Sequence, residues 1–273
     1  MSALPEPRTA AGAAALAEIL AEPARAVVAV DFDGTLAPIV ERPDDARPAA
    51  GAITALAALA DRVGCCAVVT GRAALEAVRL GGLSGVRRLE VLGHYGLERW
   101  SDGQLSSPEP VPEIGAARER LREVVAAAPT GVHLEDKEHS LVVHTRPAED
   151  PAGALASLTP AIATVAAELG LETVPGRFVL EVRPHGVDKG LAVRTLTDEH
   201  DAHVVVYVGD DLGDLPAFDA IEELRGSGRL GLTVASAGGD APPDLADRAD
   251  LVVEGPVGVV AFLETLAAAI GQP

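Results

Sequence analysis

At 273 residues the chain is too long for one small core and suits one large domain or two unequal ones. Apolar residues make up 48% and charged ones 23%, as in soluble globular proteins, while aromatics at 3% leave Ala, Val and Leu to build the core. A formal charge of −19 argues against nucleic acid or an anionic membrane surface as partner, and an anionic substrate would need a cation or a placed Lys or Arg.

The first 25 residues read as a tail and a helix broken by Pro5, Pro7 and Pro23. They show neither a basic start nor the unbroken apolar run of a signal peptide. No apolar stretch reaches membrane-spanning length, so the cytoplasm is the expected compartment. Residues 26–30 (AVVAV) predict a buried strand that stops at Asp31-Phe32-Asp33-Gly34-Thr35. Two acids this close repel unless something binds beside them, and a hard divalent cation is the usual answer. Taken alone, the segment also fits a buried strand closing on an Asp-Gly turn.

A helix is expected over 48–61, then a strand over 65–69 (CCAVV) ending at Thr70-Gly71-Arg72. Its adjacent Cys65 and Cys66 are core residues; no spacing of cysteines or of the seven histidines suggests a disulfide or zinc site. A helix over 73–80 and a strand over 89–92 follow, leading into His94 and Tyr95, which are placed behind the site rather than in it.

From about 107 to 184 the texture changes. Helix 113–127 precedes two short runs, 132–137 and 141–146, paired as a hairpin. Helix 152–168 precedes runs 171–174 and 177–183, joined through Pro175-Gly176. Helix-hairpin-helix-hairpin implies a small unit with an internal repeat and a sheet covered on one face. Alternation puts Glu135 and Lys137 on one face opposite Leu134. It does the same for Val142, His144 and Arg146 opposite Leu141 and Val143, and for Arg177, Glu181 and Arg183 opposite Phe178, Leu180 and Val182. Mixed acids and bases of this kind suit the hydroxyls of a sugar, and no aromatic platform for a nucleobase is present.

The parallel texture then returns, with helix 188–197 opened by Lys189, strand 204–208, the acids Asp210, Asp211 and Asp214, a strand near 230–234 and a helix over 256–270. The fold class is therefore α/β, a Rossmann-like parallel-sheet core (1–106 and 185–273) carrying an inserted smaller α/β cap (107–184).

In open α/β sheets, ligands bind beyond the carboxyl ends of the strands, where Asp31, Asp33, Thr70, Asp210, Asp211 and Asp214 converge. Each suits phosphomonoester hydrolysis. Asp31 attacks phosphorus; Asp33 protonates the leaving alcohol and then takes a proton from water. Mg²⁺ takes Asp31, Asp210 and the Asp33 carbonyl, with Asp211 or Asp214 acting through water. Thr70 and Lys189 hold the phosphoryl oxygens, with Gly71 and Arg72 beside the substrate.

These elements resemble the haloacid dehalogenase superfamily. The match is Asp31-Phe-Asp33-Gly-Thr35, Thr70, Lys189 and Gly209-Asp210-Asp211-x-x-Asp214, with a cap between the second and third. The resemblance narrows to the trehalose-6-phosphate phosphatases through Glu135-Asp136-Lys137, His144-x-Arg146, Phe178-Val-Leu-Glu181-Val-Arg183-Pro184 and Asp188-Lys189-Gly190. It implies that Glu135, Lys137 and Glu181 hold a disaccharide, with His144 and Arg146 nearby. The sequence departs from the pattern in Thr70, where Ser is frequent, and Thr145, where an aromatic is common. Hydrolysis of trehalose 6-phosphate is the implied reaction. Sucrose 6-phosphate or a mannosyl-phosphoglycerate type ester is the alternative, and a non-catalytic sugar-phosphate sensor or partner of a synthase the reading of another class. With no glycosyltransferase-like stretch ahead of it, a stand-alone phosphatase is expected.

Overall fold

The computed structural model describes residues 4–237 and 243–270. In chain order the elements before the insertion are α1 (Ala10–Ala21), β1 (Ala26–Asp31), α2 (Ala52–Ala60), β2 (Cys65–Val69), α3 (Ala74–Gly81), β3 (Leu89–Gly93), β4 (Glu98–Ser101) and β5 (Gln104–Ser106). The insertion holds α4 (Pro112–Ala126), β6 (His133–Asp136), β7 (Leu141–His144), α5 (Pro151–Glu168), β8 (Leu171–Gly176) and β9 (Val179–Pro184). After it come α6 (Lys189–Glu199), β10 (Val204–Gly209), α7 (Leu215–Gly226), β11 (Leu230–Ser236), α8 (Pro243–Arg248), β12 (Leu251–Val253) and α9 (Gly255–Ala269). Contacts divide the chain into two compact units: one runs to Ser107 and resumes at Asp188, and the other is Pro108–Val187.

The first unit is built on an eight-stranded sheet of order β12-β11-β10-β1-β2-β3-β4-β5. Strands β12 to β3 are parallel, and β3-β4-β5 antiparallel. All six residues of β1 and all of β2 and β10 are buried, which is what a parallel strand covered on both faces demands of its sequence. Val28 and Val30 face a cluster with α1, α2, α3 and α9, while Val27 and Ala29 face α6, α7 and Leu245 of α8. The two adjacent thiols part the same way, Cys66 into the first cluster and Cys65 into the second. Burial pushes the Cys66 thiol up to about 12. Strand order runs outward from β1 through β2 and β3 in one direction, and through β10, β11 and β12 in the other. That reversal is a topological switch point, and it places the ends of β1 and β10 side by side.

The second unit is a four-stranded antiparallel sheet, β6-β7-β9-β8. Leu141, Val143, Leu171, Leu180 and Val182 pack on one face against Ile114 and Leu121 of α4 and Ile162 and Val165 of α5. The opposite face carries the register row Glu135–Val142–Glu181–Val174.

Several boundaries differ from the sequence reading. Pro175 and Gly176 do not make the turn: they pair with Leu180 and Val179 inside the β8–β9 ladder, and Arg177-Phe178 forms the two-residue loop, with Phe178 at φ +64°. β8 is an edge strand, where a residue without an N–H costs no ladder bond. Arg177 and Phe178 therefore leave the alternation assigned to them. Lys137 and Arg146 also lie past the ends of β6 and β7, so turns and not strand alternation place them. The helix expected over 48–61 is shorter because Gly51 sits at φ +91° just before it.

The β4–β5 hairpin was not anticipated. Its signal was present in Asp102-Gly103, both at positive φ as a two-residue hairpin turn requires.

Candidate active site

β1 delivers Asp31 at the sheet's carboxyl edge, 4% exposed. Asp210 follows the end of the neighbouring β10. Between them the chain turns through Gly34, at φ +78°, where a Cβ would come within 1.9 Å of Asp210 Oδ2. Only glycine leaves Asp210 its place. Thr35 Oγ1 donates to Asp210 Oδ1 at 2.9 Å, and Ser236 at the end of β11 donates to the Gly34 carbonyl at 2.9 Å.

α6 starts with the Asp188 side chain accepting from Leu191 N, and its first residue, Lys189, is aimed inward. Lys189 Nζ lies 2.9 Å from Asp31 Oδ1 and 2.6 Å from Asp214 Oδ1. Burial works against the ammonium, yet Asp214 and Asp31 hold its pKa well above the usual lysine value. Asp214 is wholly buried. Its Oδ1 also accepts from Tyr207 OH at 2.6 Å, and its Oδ2 accepts the backbone N–H groups of Asp210 (2.8 Å) and Asp211 (3.0 Å). So Asp214 orients Lys189 and the Asp210 turn through four donors, a larger structural part than its sequence assignment foresaw. Asp211 is exposed and caps the short helical turn, accepting from Gly213 N at 2.8 Å.

The cluster sets Asp31, Asp210, Asp211 and Asp214 against a single ammonium. Burial first, then Asp214 and Asp211, push Asp210 up to about 7. Burial likewise drives Asp31 well above the carboxylate range; Lys189 opposes this, and Asp214 and Asp210 add to it. Oxygens of Asp31, Asp210 and Asp214 lie within 4.8 Å of one another. An all-oxygen set with surplus negative charge fits a hard divalent cation.

Thr70 is buried beyond β2; its N–H donates to Leu92 O, and its Oγ1 accepts from Arg72 N at 3.2 Å. Gly71 lies against the Tyr95 ring, where a Cβ would come within 2.8 Å of the hydroxyl. His94 N and Tyr95 N donate to Arg72 O and Thr70 O, so these two residues hold the loop that carries Thr70. Arg72 grips Asp33 with Nε–Oδ2 at 2.6 Å and Nη2–Oδ1 at 2.8 Å.

In the inserted unit, Glu135 Oε2 pairs with His144 Nε2 at 2.7 Å, and His144 stacks on His133 with ring centroids 4.8 Å apart. The His144 hydrogen bond, against the effect of burial and with help from Lys137, lowers the Glu135 pKa. Glu181 is only 7% exposed and accepts from Ser140 Oγ at 2.6 Å. Arg146 is exposed in the turn after β7. Thr145 is buried; its hydroxyl donates to Pro151 O at 2.8 Å and its N–H to Phe178 O at 2.9 Å, tying the end of β7 to the start of α5 and to the β8–β9 loop.

Sequence reasoning assigned no site role to Thr35, Tyr207, Ser236, Ser140, His133 or Glu76. Tyr207 carried a signal as the one polar tip in an all-valine strand, and Ser236 lies just past the expected end of its strand. A second mixed group, Cys65, Glu90 and His200, meets at the amino end of the sheet, where His200 and Arg99 pair with Glu90.

A family model described as trehalose-phosphatase matches residues 29–248. The trehalose-phosphate phosphatase of Mycolicibacterium paratuberculosis is 33% identical over 249 residues, 87% of this chain and 61% of that one. The Mycobacterium marinum protein of the same name is 35% identical over 72% of this chain and 52% of its own length. The chain thus spans about half to three-fifths of these relatives. The C-terminal domain of Candida albicans trehalose-6-phosphate phosphatase superposes with a TM-score of 0.75 at 21% identity, covering 98% of this chain and 99% of that one. The C-terminal domain of a trehalose synthase regulatory protein from the same yeast shares the fold too, with a TM-score of 0.66 at 13% identity over 89% and 93% of the two chains. By the match of the family model over most of its length, the chain belongs to the trehalose-phosphatase family.

Proposed function

We propose that the protein is a Mg²⁺-dependent phosphatase, acting in the cytoplasm, that hydrolyses trehalose 6-phosphate to trehalose and phosphate through a phosphorylated Asp31. The observation that carries this reading is Asp31 itself, a buried carboxylate at a strand end, held by Lys189 at 2.9 Å beside Asp210. Lys189 keeps an oxygen of Asp31 fixed and offsets negative charge on the incoming phosphoryl group. Thr70 offers a hydroxyl to that group. Asp33 gives a proton to the leaving sugar oxygen and later takes one from water, freeing Asp31. Asp31 and Asp210, with the Asp33 carbonyl, would hold the cation, Asp211 serving through water and Asp214 as their support. When bound, Mg²⁺ offsets the charge of these acids and of the phosphoryl oxygens.

The choice of ester is assigned to the polar face of the inserted unit, where Glu135, Lys137 and Glu181 would take sugar hydroxyls, with His144 and Arg146 flanking them. Strand register supports this by setting Glu135 and Glu181 in one row with Val142 between them. The test is phosphate release with Mg²⁺ present. Trehalose 6-phosphate is expected to be cleaved far faster than glucose 6-phosphate, sucrose 6-phosphate or a mannosyl-phosphoglycerate, and equal rates would sink the assignment.

The shared fold of a regulatory protein is the one observation that favours a sensor. A sensor needs no nucleophile, and this chain keeps Asp31, Asp33 and Lys189 in contact-ready places.

A further inference from the structure

We propose that Arg72 is a positioning residue for Asp33 and not a ligand of the substrate. This rests on the phosphatase reading above. A guanidinium has five N–H donors. Four are already spent: Nε and Nη2 on the two oxygens of Asp33, Nη2 again on Pro43 O at 3.0 Å, and Nη1 on Glu76 Oε1 at 2.9 Å. The guanidinium carbon also lies 5.8 Å from the centre of the Phe32 ring. The Arg72 side chain is 12% exposed while that of Asp33 is 33% exposed. Asp33 is the more open of the two, and Arg72 backs it.

Asp33 lies beyond the end of β1, so the strand does not fix its rotamer. The bidentate fork does, because it fixes both oxygens in one plane. Each oxygen keeps a further lone pair, so the paired carboxylate can still receive a proton. In the second half-reaction, water oxygen bonds to phosphorus, its proton passes to Asp33, and the bond from phosphorus to Asp31 breaks with its electron pair returning to Asp31. A misplaced base at that step costs about 10²-fold.

The experiment uses Arg72→Ala and Arg72→Lys, each with trehalose 6-phosphate and with an aryl phosphate whose phenolate leaves without a proton. For the sugar ester, kcat should fall about 10- to 10²-fold with KM within about twofold. For the aryl ester, phenolate should appear in a rapid burst at the wild-type rate, followed by slow turnover. Lysine keeps the charge without the fork, so it should behave as alanine does; it also serves if the alanine variant does not fold. In an Asp33→Asn background neither change should cost more than about twofold further, because Arg72 acts through Asp33. A raised KM with unchanged kcat, or losses that multiply in the double variant, would overturn the proposal. Wild-type protein that cleaves neither ester with Mg²⁺ would overturn the phosphatase reading as well. An Asp33→Asn variant that loses activity while Arg72→Lys stays at wild-type rates overturns only the role of Arg72.

Discussion

Asp31 of the core and Glu135 of the inserted unit are both acids in polar clusters, and their surroundings push them in opposite directions. Asp31 is buried among other carboxylates, so burial raises its pKa despite Lys189. Glu135 is half exposed and faces His144, so its pKa falls. The first arrangement holds unresolved negative charge, which a cation or a phosphoryl group can engage in forming bonds. The second is an ordinary, nearly relaxed pair of the kind that reads hydroxyls. The contrast separates a buried, mutually repelling acid cluster in the core from a screened acid–imidazole pair in the insertion, and the proposed split between chemistry and substrate choice rests on it.

Breaking the core side of this contrast should have the largest effects. Asp31→Asn should cut phosphate release by on the order of 10⁴-fold or more with a thermal midpoint within a few degrees of wild type. If turnover survives, a phosphorylated Asp31 is not on the path. Exhaustive chelation should abolish turnover and added Mg²⁺ restore it, measured by phosphate release; activity that persists without any divalent cation would remove the need for one.

Asp214→Ala leaves Lys189 with Asp31 alone and takes their acceptor from Tyr207 and two backbone donors, and should cost about 3–5 kcal/mol in urea unfolding. The matching deletion in the insertion, Glu135→Ala, should cost less than about 1 kcal/mol because the pair is solvent-screened. Similar losses would erase the distinction between the clusters.

The smallest effect is that of pH on Glu135. A carboxylate whose folded pKa is lowered contributes stability above its ordinary pKa, and the contribution fades as pH falls through the lowered value. The midpoint difference between wild type and Glu135→Gln should therefore be steady near neutrality and shrink below about pH 4.

The strands of the core and the helices of the insertion were legible because burial stamps local patterns on the chain, as in AVVAV before Asp31 and CCAVV before Thr70. The candidate acids were legible for the same reason, since each follows such a strand. What was not legible depends on contacts between distant residues. Asp214 looked like one more acid until Tyr207, Lys189 and two backbone groups filled its lone pairs. Arg72 is placed beside the substrate by its position after Thr70, and no local pattern shows that its guanidinium also grips Asp33, 39 residues away. The β8–β9 loop misled because Pro-Gly is a strong turn signal, yet the register of an edge strand absorbed it.

The division between a chemical core and a selecting insertion is tested most directly by Glu181→Ala, assayed for kcat/KM on trehalose 6-phosphate and on a small aryl phosphate. Loss of a carboxylate that reads hydroxyls should cost the disaccharide ester about tenfold or more and leave the aryl ester within about twofold. Equal losses on both would make Glu181 a structural partner of Ser140 and contradict the account.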